Sequence, residues 1–132
     1  MINSRVLLVG IIVVIDFGGA SVTSAQQVLT TGNDLIAACS VVARGGTPNA
    51  DNAVRVGICL GELEALNWLA PGAADERIRS CVPATITTTQ MVGVVVAYLD
   101  RNSDRLREPF EGLALEALAE TWPCPPSGWF GR

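Results

Sequence analysis

Apolar residues recur at helical spacing in four stretches of this chain, with helix breakers between them. Leu35, Ala38, Cys39 and Val42 follow i, i+3, i+4, i+7 and predict the buried stripe of a first helix. Thr31 or Asn33 can cap its free amides, and Gly45-Gly46 followed by Pro48-Asn49 ends it. A second helix is predicted from about Asp51 to Leu69, with Val56, Cys59, Leu60, Leu63 and Leu66 as its core face and Pro71-Gly72 as its stop. Beside that face runs a stripe of small residues, Gly57, Gly61 and Ala65, each four apart. Glycine inside a helix costs about 1 kcal/mol relative to alanine. The stripe therefore predicts close approach by another helix, either within the monomer or across a dimer seam.

Ala73 to Thr85 carries Asp75, Glu76, Arg77 and Arg79 and reads as a solvated connector with room for one helical turn. Thr87 and Gln90 then show capping-box spacing just before an apolar run. A third helix is predicted to about Arg101, with Val92, Val95, Val96 and Leu99 inward. Its valines would also suit a strand; the cap and the helical spacing favour a helix. Ser103 can cap a fourth helix, and Pro109 suits its first turn. Phe110, Leu113, Ala114, Ala117 and Leu118 form its stripe, Glu111, Glu116 and Glu120 point away, and Pro123 ends it. The pattern predicts an all-α fold, a small four-helix domain built as two helical hairpins.

The stretch before these helices has a different character. Arg5 precedes the apolar run Val6 to Ile15, and Thr23-Ser24-Ala25 supplies small residues, the pattern of a secretory signal peptide. A membrane span needs about 20 apolar residues, more than this run provides. The expectation is cleavage after Ala25 and no membrane attachment afterwards. Residues 26–124 then make one helical domain, and 125–132, rich in Pro and Gly, a flexible C-terminal tail.

Export places the four cysteines in an oxidising compartment, where an even count reads as a disulfide framework. Four cysteines allow three connectivities, and sequence alone does not formally choose among them. Asn49 lies midway between Cys39 and Cys59, and Asn102-Ser103 midway between Cys81 and Cys124. Both midpoints fall in breaks between helices, and cysteines equidistant from a turn face each other across a hairpin. This symmetry argues for Cys39–Cys59 and Cys81–Cys124, one staple per hairpin.

The composition then removes whole classes of chemistry. The chain has 9 basic residues, all arginine, against 13 acidic ones, a net charge of −4. That balance, without a basic run, gives no footprint for nucleic acid. There is no histidine, so with the thiols oxidised no Ser-His or Cys-His nucleophile can be assembled. Zinc sites of His and Cys fall on the same ground. Among carboxylate pairs for a glycosidase, Glu62 and Glu64 do not share a helix face, and Glu116 with Glu120 reads as a solvated face. No glycine-rich phosphate loop is present. The reading is a non-enzyme with no catalytic residue, metal or cofactor.

Several segments resemble one known family. Cys81-Val82-Pro83 through Gln90, Val94-Val95-Val96-Ala97-Tyr98-Leu99, and Ala117-Leu118 before Trp122-Pro123-Cys124 are similar to the Rap/Tai immunity proteins. Cys59-Leu60-Gly61 resembles the same family's cysteine-x-glycine segment. Two places depart from the pattern: Glu62 stands where the family often has tyrosine, and Asn102-Ser103 replaces a His-Pro-like turn. The resemblance implies a periplasmic, disulfide-stapled helical protein, often a homodimer. Its cognate partner would be a peptidoglycan amidase effector of type VI secretion, whose active site it plugs. The alternative is a general periplasmic helical binding or stress protein of the same fold without a toxin partner.

Binding energy concentrates in Trp, Tyr and Arg. Tyr98 and Trp122 read as packing residues, Tyr98 with its hydroxyl at the core's edge. Trp68, at the end of the small-residue stripe, and Trp129 with Phe130, on the tail, remain as candidate partner contacts.

Overall fold

The computed structural model describes residues 30–126. Four helices carry the fold: α1 (Gly32–Ala43), α2 (Ala53–Leu69), α3 (Thr88–Arg101) and α4 (Phe110–Thr121). Short 3₁₀ turns at Ala70–Gly72, Glu76–Ile78 and Ser103–Arg105 lie in the connections. The signal-like stretch 1–25 and the tail residues Trp129 and Phe130 lie outside the described residues.

α1 packs most heavily on α3, and the hairpin pairs α1–α2 and α3–α4 come next. The predicted stripes close on one another in a single core. Leu35, Cys39, Cys59, Leu63, Val92, Val95, Leu99, Phe110, Leu113, Ala114, Ala117 and Leu118 all belong to it. Val42, Leu60, Leu66 and Trp122 pack on its margin, only partly buried. Disulfides join Cys39 to Cys59 and Cys81 to Cys124, as the hairpin symmetry argued. The first cross-links α1 and α2 in the core. The second closes the open end of the other hairpin, where the Cys81 amide donates to the Trp122 carbonyl at 2.8 Å.

Local chemistry sets the helix ends. At α3, the Thr87 hydroxyl accepts from the Gln90 amide (3.3 Å) and the Gln90 side chain accepts from the Thr87 amide (2.8 Å), the expected capping box. Thr31 precedes α1, and its amide and hydroxyl both donate to the Asp34 carboxylate. The free amides of that helix end are met from the α3–α4 connection: Gly32 donates to Glu108 and Asn33 to Leu106.

The structure revises several expectations. α2 begins at Ala53 rather than Asp51, because the Asn49 side chain accepts from the amides of Asp51 and Asn52 and holds a turn there. Ser103 starts a 3₁₀ turn instead of capping α4, and Pro109 is the residue before α4, not in its first turn. Glu116 does not point freely away from α4; it bonds Tyr98 and Arg105. Glu111 is half-buried.

The largest revision concerns the small-residue stripe. A Cβ added at Gly57 or Gly61 would meet nothing within 4 Å, so none of the described residues approaches α2 there. The reason lies across the helix: Val56, Cys59 and Leu63 face the core, and the Cys39–Cys59 bond pins that side toward α1. The close approach occurs instead at Gly32, where a Cβ would sit 3.1 Å from side-chain atoms of Leu106 and Leu113 and 3.2 Å from the Leu106 Cα.

Candidate functional site

With the core side of α2 fixed by Cys59, helical geometry at about 100° per residue puts Val54, Gly57, Ile58, Gly61, Ala65, Trp68 and Leu69 on the opposite side. All are exposed. Val54 is 73% accessible, Ile58 39%, Trp68 87% and Leu69 70%; these are the exposed large hydrophobic residues among the described residues. Trp68, a contact candidate from the sequence, is thus on the surface beside the Gly57-Gly61-Ala65 stripe, but Val54, Ile58 and Leu69 were missed. The signal was available: Val54, Ile58, Trp68 and Leu69 continue the Gly57-Gly61-Ala65 stripe, giving α2 more apolar faces than one core can use.

The face has structured margins. At its N-terminal end, Ile58 with Thr30, Asp34, Leu35 and Arg55 lines a depression of about 210 Å³. Arg55, the one cation on α2, reaches across to the Asp34 carbonyl at 3.3 Å. Along one side lies Glu62; along the other lies Glu64, which accepts from the Thr88 hydroxyl at 3.1 Å. Burial, with the charge of Glu111 from α4 added, holds the Glu62 carboxyl above the usual carboxylate range. One carboxylate oxygen of Glu62 and one of Glu111 are buried without a hydrogen-bond partner.

A second polar cluster is satisfied and structural. Tyr98 Oη donates to Glu116 at 2.6 Å, and Arg105 donates to Glu116 (2.7 Å), Tyr98 Oη (2.9 Å) and Glu108 (2.7 Å). Arg105 and then Tyr98 hold the Glu116 carboxyl below its ordinary range. Burial, followed by the bond to Glu116, pushes the Tyr98 phenol up. The network locks the α3–α4 connection onto both helices, which suits a brace.

The four cysteines form the two disulfides and leave no free thiol. Among the described residues, no three of Cys, Asp and Glu gather as a metal site, and no helix is long and apolar enough to cross a membrane. A shallow cavity of about 270 Å³ beside Cys124 is lined by Glu76, Arg79, Pro123, Pro125 and Pro126, with no nucleophile among them.

No curated protein and no solved structure matches this chain. A family model described as Rap1a immunity proteins matches residues 31–124, from the cap of α1 to the last cysteine. That span contains all four helices and both disulfides, and the chain belongs to the Rap1a immunity protein family.

Proposed function

We propose that the chain is exported, loses residues 1–25, and in the periplasm binds and inhibits a peptidoglycan amidase effector of type VI secretion. The observation that carries this is the family match over the whole stapled helical body. Two features support the compartment. The stretch before Gln26 has the make-up of a signal peptide, and paired disulfides persist in oxidising surroundings. Inhibition is by occupancy: a rigid surface blocks the effector, and the inhibitor carries no catalytic chemistry of its own. The homodimer implied by the family resemblance belongs to the same proposal.

The test is protection. Peptidoglycan amidases of the type VI class are exported one at a time to the periplasm of a bacterial host, with and without this chain. Growth should be restored against at least one of them, and residues 26–132, purified, should stop that amidase at about one equivalent. Deleting residues 1–25 should abolish protection. Failure against every amidase, with the chain present in the periplasm, would favour a general periplasmic helical protein. Sedimentation of residues 26–132 decides the oligomeric state.

A further inference from the structure

The two disulfides sit in opposite surroundings. Cys39 and Cys59 are both 0% accessible and belong to the core between α1 and α2. Cys81 is exposed and Cys124 half-buried, and neither belongs to that core. Cys81 lies in the connector before α3 and Cys124 shortly past the end of α4, so both sit on irregular backbone. Cys124 also borders the cavity of about 270 Å³ that Arg79 and Pro123 line, which leaves space on its side of the bond.

Access decides how a disulfide reacts. An attacking thiolate has to reach one sulfur from the side opposite the other, so a bond sealed in the core is inert until the fold opens, whereas an exposed one exchanges in the native state. The backbone around Cys81 is also built to outlast the bond. The Cys81 amide donates to the Trp122 carbonyl at 2.8 Å, and Ser80, 1% accessible, forms an antiparallel bridge with Pro123. The turn Glu76–Ile78 packs on α4. These contacts keep the two chain segments side by side when the bond is open, so the thiols stay placed to close it again.

We propose that Cys81–Cys124 is a reversible thiol–disulfide exchange site, open in the folded protein to a dithiol protein of the Cys-x-x-Cys kind, while Cys39–Cys59 is a permanent staple. A thiolate of the dithiol protein attacks the exposed Cys81 sulfur. The Cys81–Cys124 bond breaks, a mixed disulfide forms at Cys81, and Cys124 leaves on the cavity side as a thiolate that takes up a proton. The second thiol of the dithiol protein loses its proton, attacks the mixed disulfide at its own protein's sulfur and expels Cys81, which is protonated in turn. Two electrons and two protons pass to the cysteines, and the dithiol is oxidised to a disulfide. The reverse sequence closes the bond. The site stands apart from the immunity reading, since it requires neither an effector nor the outer face of α2.

The experiment incubates oxidised residues 26–132 with a reduced thioredoxin-type protein, quenches with N-ethylmaleimide and maps the peptides without further reduction. Cys81 and Cys124 should be labelled about tenfold faster or more than Cys39 and Cys59, because only the exposed pair reacts from the folded state. The half-reduced protein should keep its helical circular dichroism, unfold at a lower temperature, and recover the bond when the reductant is removed. A thioredoxin-type protein whose second cysteine is serine should be trapped on Cys81. Trapping on any other cysteine would overturn the proposal. So would opening of both bonds together, opening of Cys39–Cys59 first, loss of helical signal in step with labelling, or resistance of both bonds until denaturant is added.

Discussion

Replacing Gly32 by alanine sets local propensity against packing, and the structure says packing wins. Alanine in place of an interior helical glycine ordinarily gains about 0.5–1 kcal/mol, and Gly32, at the first position of α1, stands to gain less. Against this, its Cβ would lie 3.1 Å from Leu106 Cδ2, 3.1 Å from Leu113 Cδ1 and 3.2 Å from Leu106 Cα. A leucine terminus can yield, but the Leu106 backbone is tied, because its carbonyl accepts from Asn33 at 2.8 Å. Overpacking of this kind costs about 1–3 kcal/mol, so the net loss is about 1–2 kcal/mol. Each kcal/mol is worth about 4–8 °C of Tm in a domain of this size. Gly61→Ala supplies the control, since its Cβ meets open space and only the propensity gain remains. Thermal and urea unfolding of residues 26–132 should therefore move in opposite directions, Gly32→Ala down and Gly61→Ala up by about 0.5–1 kcal/mol. A neutral or stabilised Gly32→Ala would refute the close approach of α1 to the α3–α4 connection. A destabilised Gly61→Ala would put a neighbour on the outer face of α2 within the monomer.

Removing Cys39–Cys59, with a separation of 20, should cost about 3 kcal/mol, and removing Cys81–Cys124, with a separation of 43, about 4 kcal/mol by loop entropy; Cys→Ser pairs as stable in denaturant as the wild type would show that the staples add nothing. Tyr98→Phe deletes a donor to an ionised carboxylate and should lose about 1–2 kcal/mol at neutral pH; the loss should shrink in acid, because the lowered Glu116 carboxyl gives stability above its unfolded pKa that fades as pH falls through the folded one. Glu62→Gln should act in the opposite sense. A carboxyl raised by burial and by Glu111 destabilises the fold above its folded pKa, so the variant should gain stability at pH 7 and lose that advantage below about pH 4.5. A pH-independent difference would remove the carboxylate pair from the account.

What the sequence made legible was local or symmetric. Helical spacing identified the inward residues of α1, α3 and α4, because each has one dominant apolar stripe. The Thr87–Gln90 cap needed only three residues of context. The disulfides came from hairpin geometry, a constraint that acts over longer stretches but depends only on where the turns fall. The misses at Glu116 and Gly32 needed partners distant in sequence. Glu116 reads as a surface residue until Arg105 and Tyr98 are placed beside it. Gly32 looks like an ordinary helix start until Leu106 and Leu113 close over it. At α2 the spacing also identified the core face, with Val56, Cys59 and Leu63 inward, but apolar residues lie on both sides of this helix and the use of the second side is ambiguous from the pattern.

That ambiguity bears on what α2 is for. Val54, Trp68 and Leu69 could be polar without loss to the core, because none belongs to it. Scattered apolar residues on a surface need no explanation, but these share one side of one helix. Gly57 and Gly61 each cost the helix about 1 kcal/mol, and no contact among the described residues offsets it. A helix that gives up propensity to keep its outer surface low, and lines that surface with tryptophan and leucine, has the form of a binding groove rather than of a solvated face. Glu62 and Glu111 retain unbonded buried oxygens while Arg105, on the other side of α4, is fully engaged with Glu108 and Glu116. At this margin of α2, burial and the facing charge of Glu111 keep the Glu62 carboxyl above the usual carboxylate range.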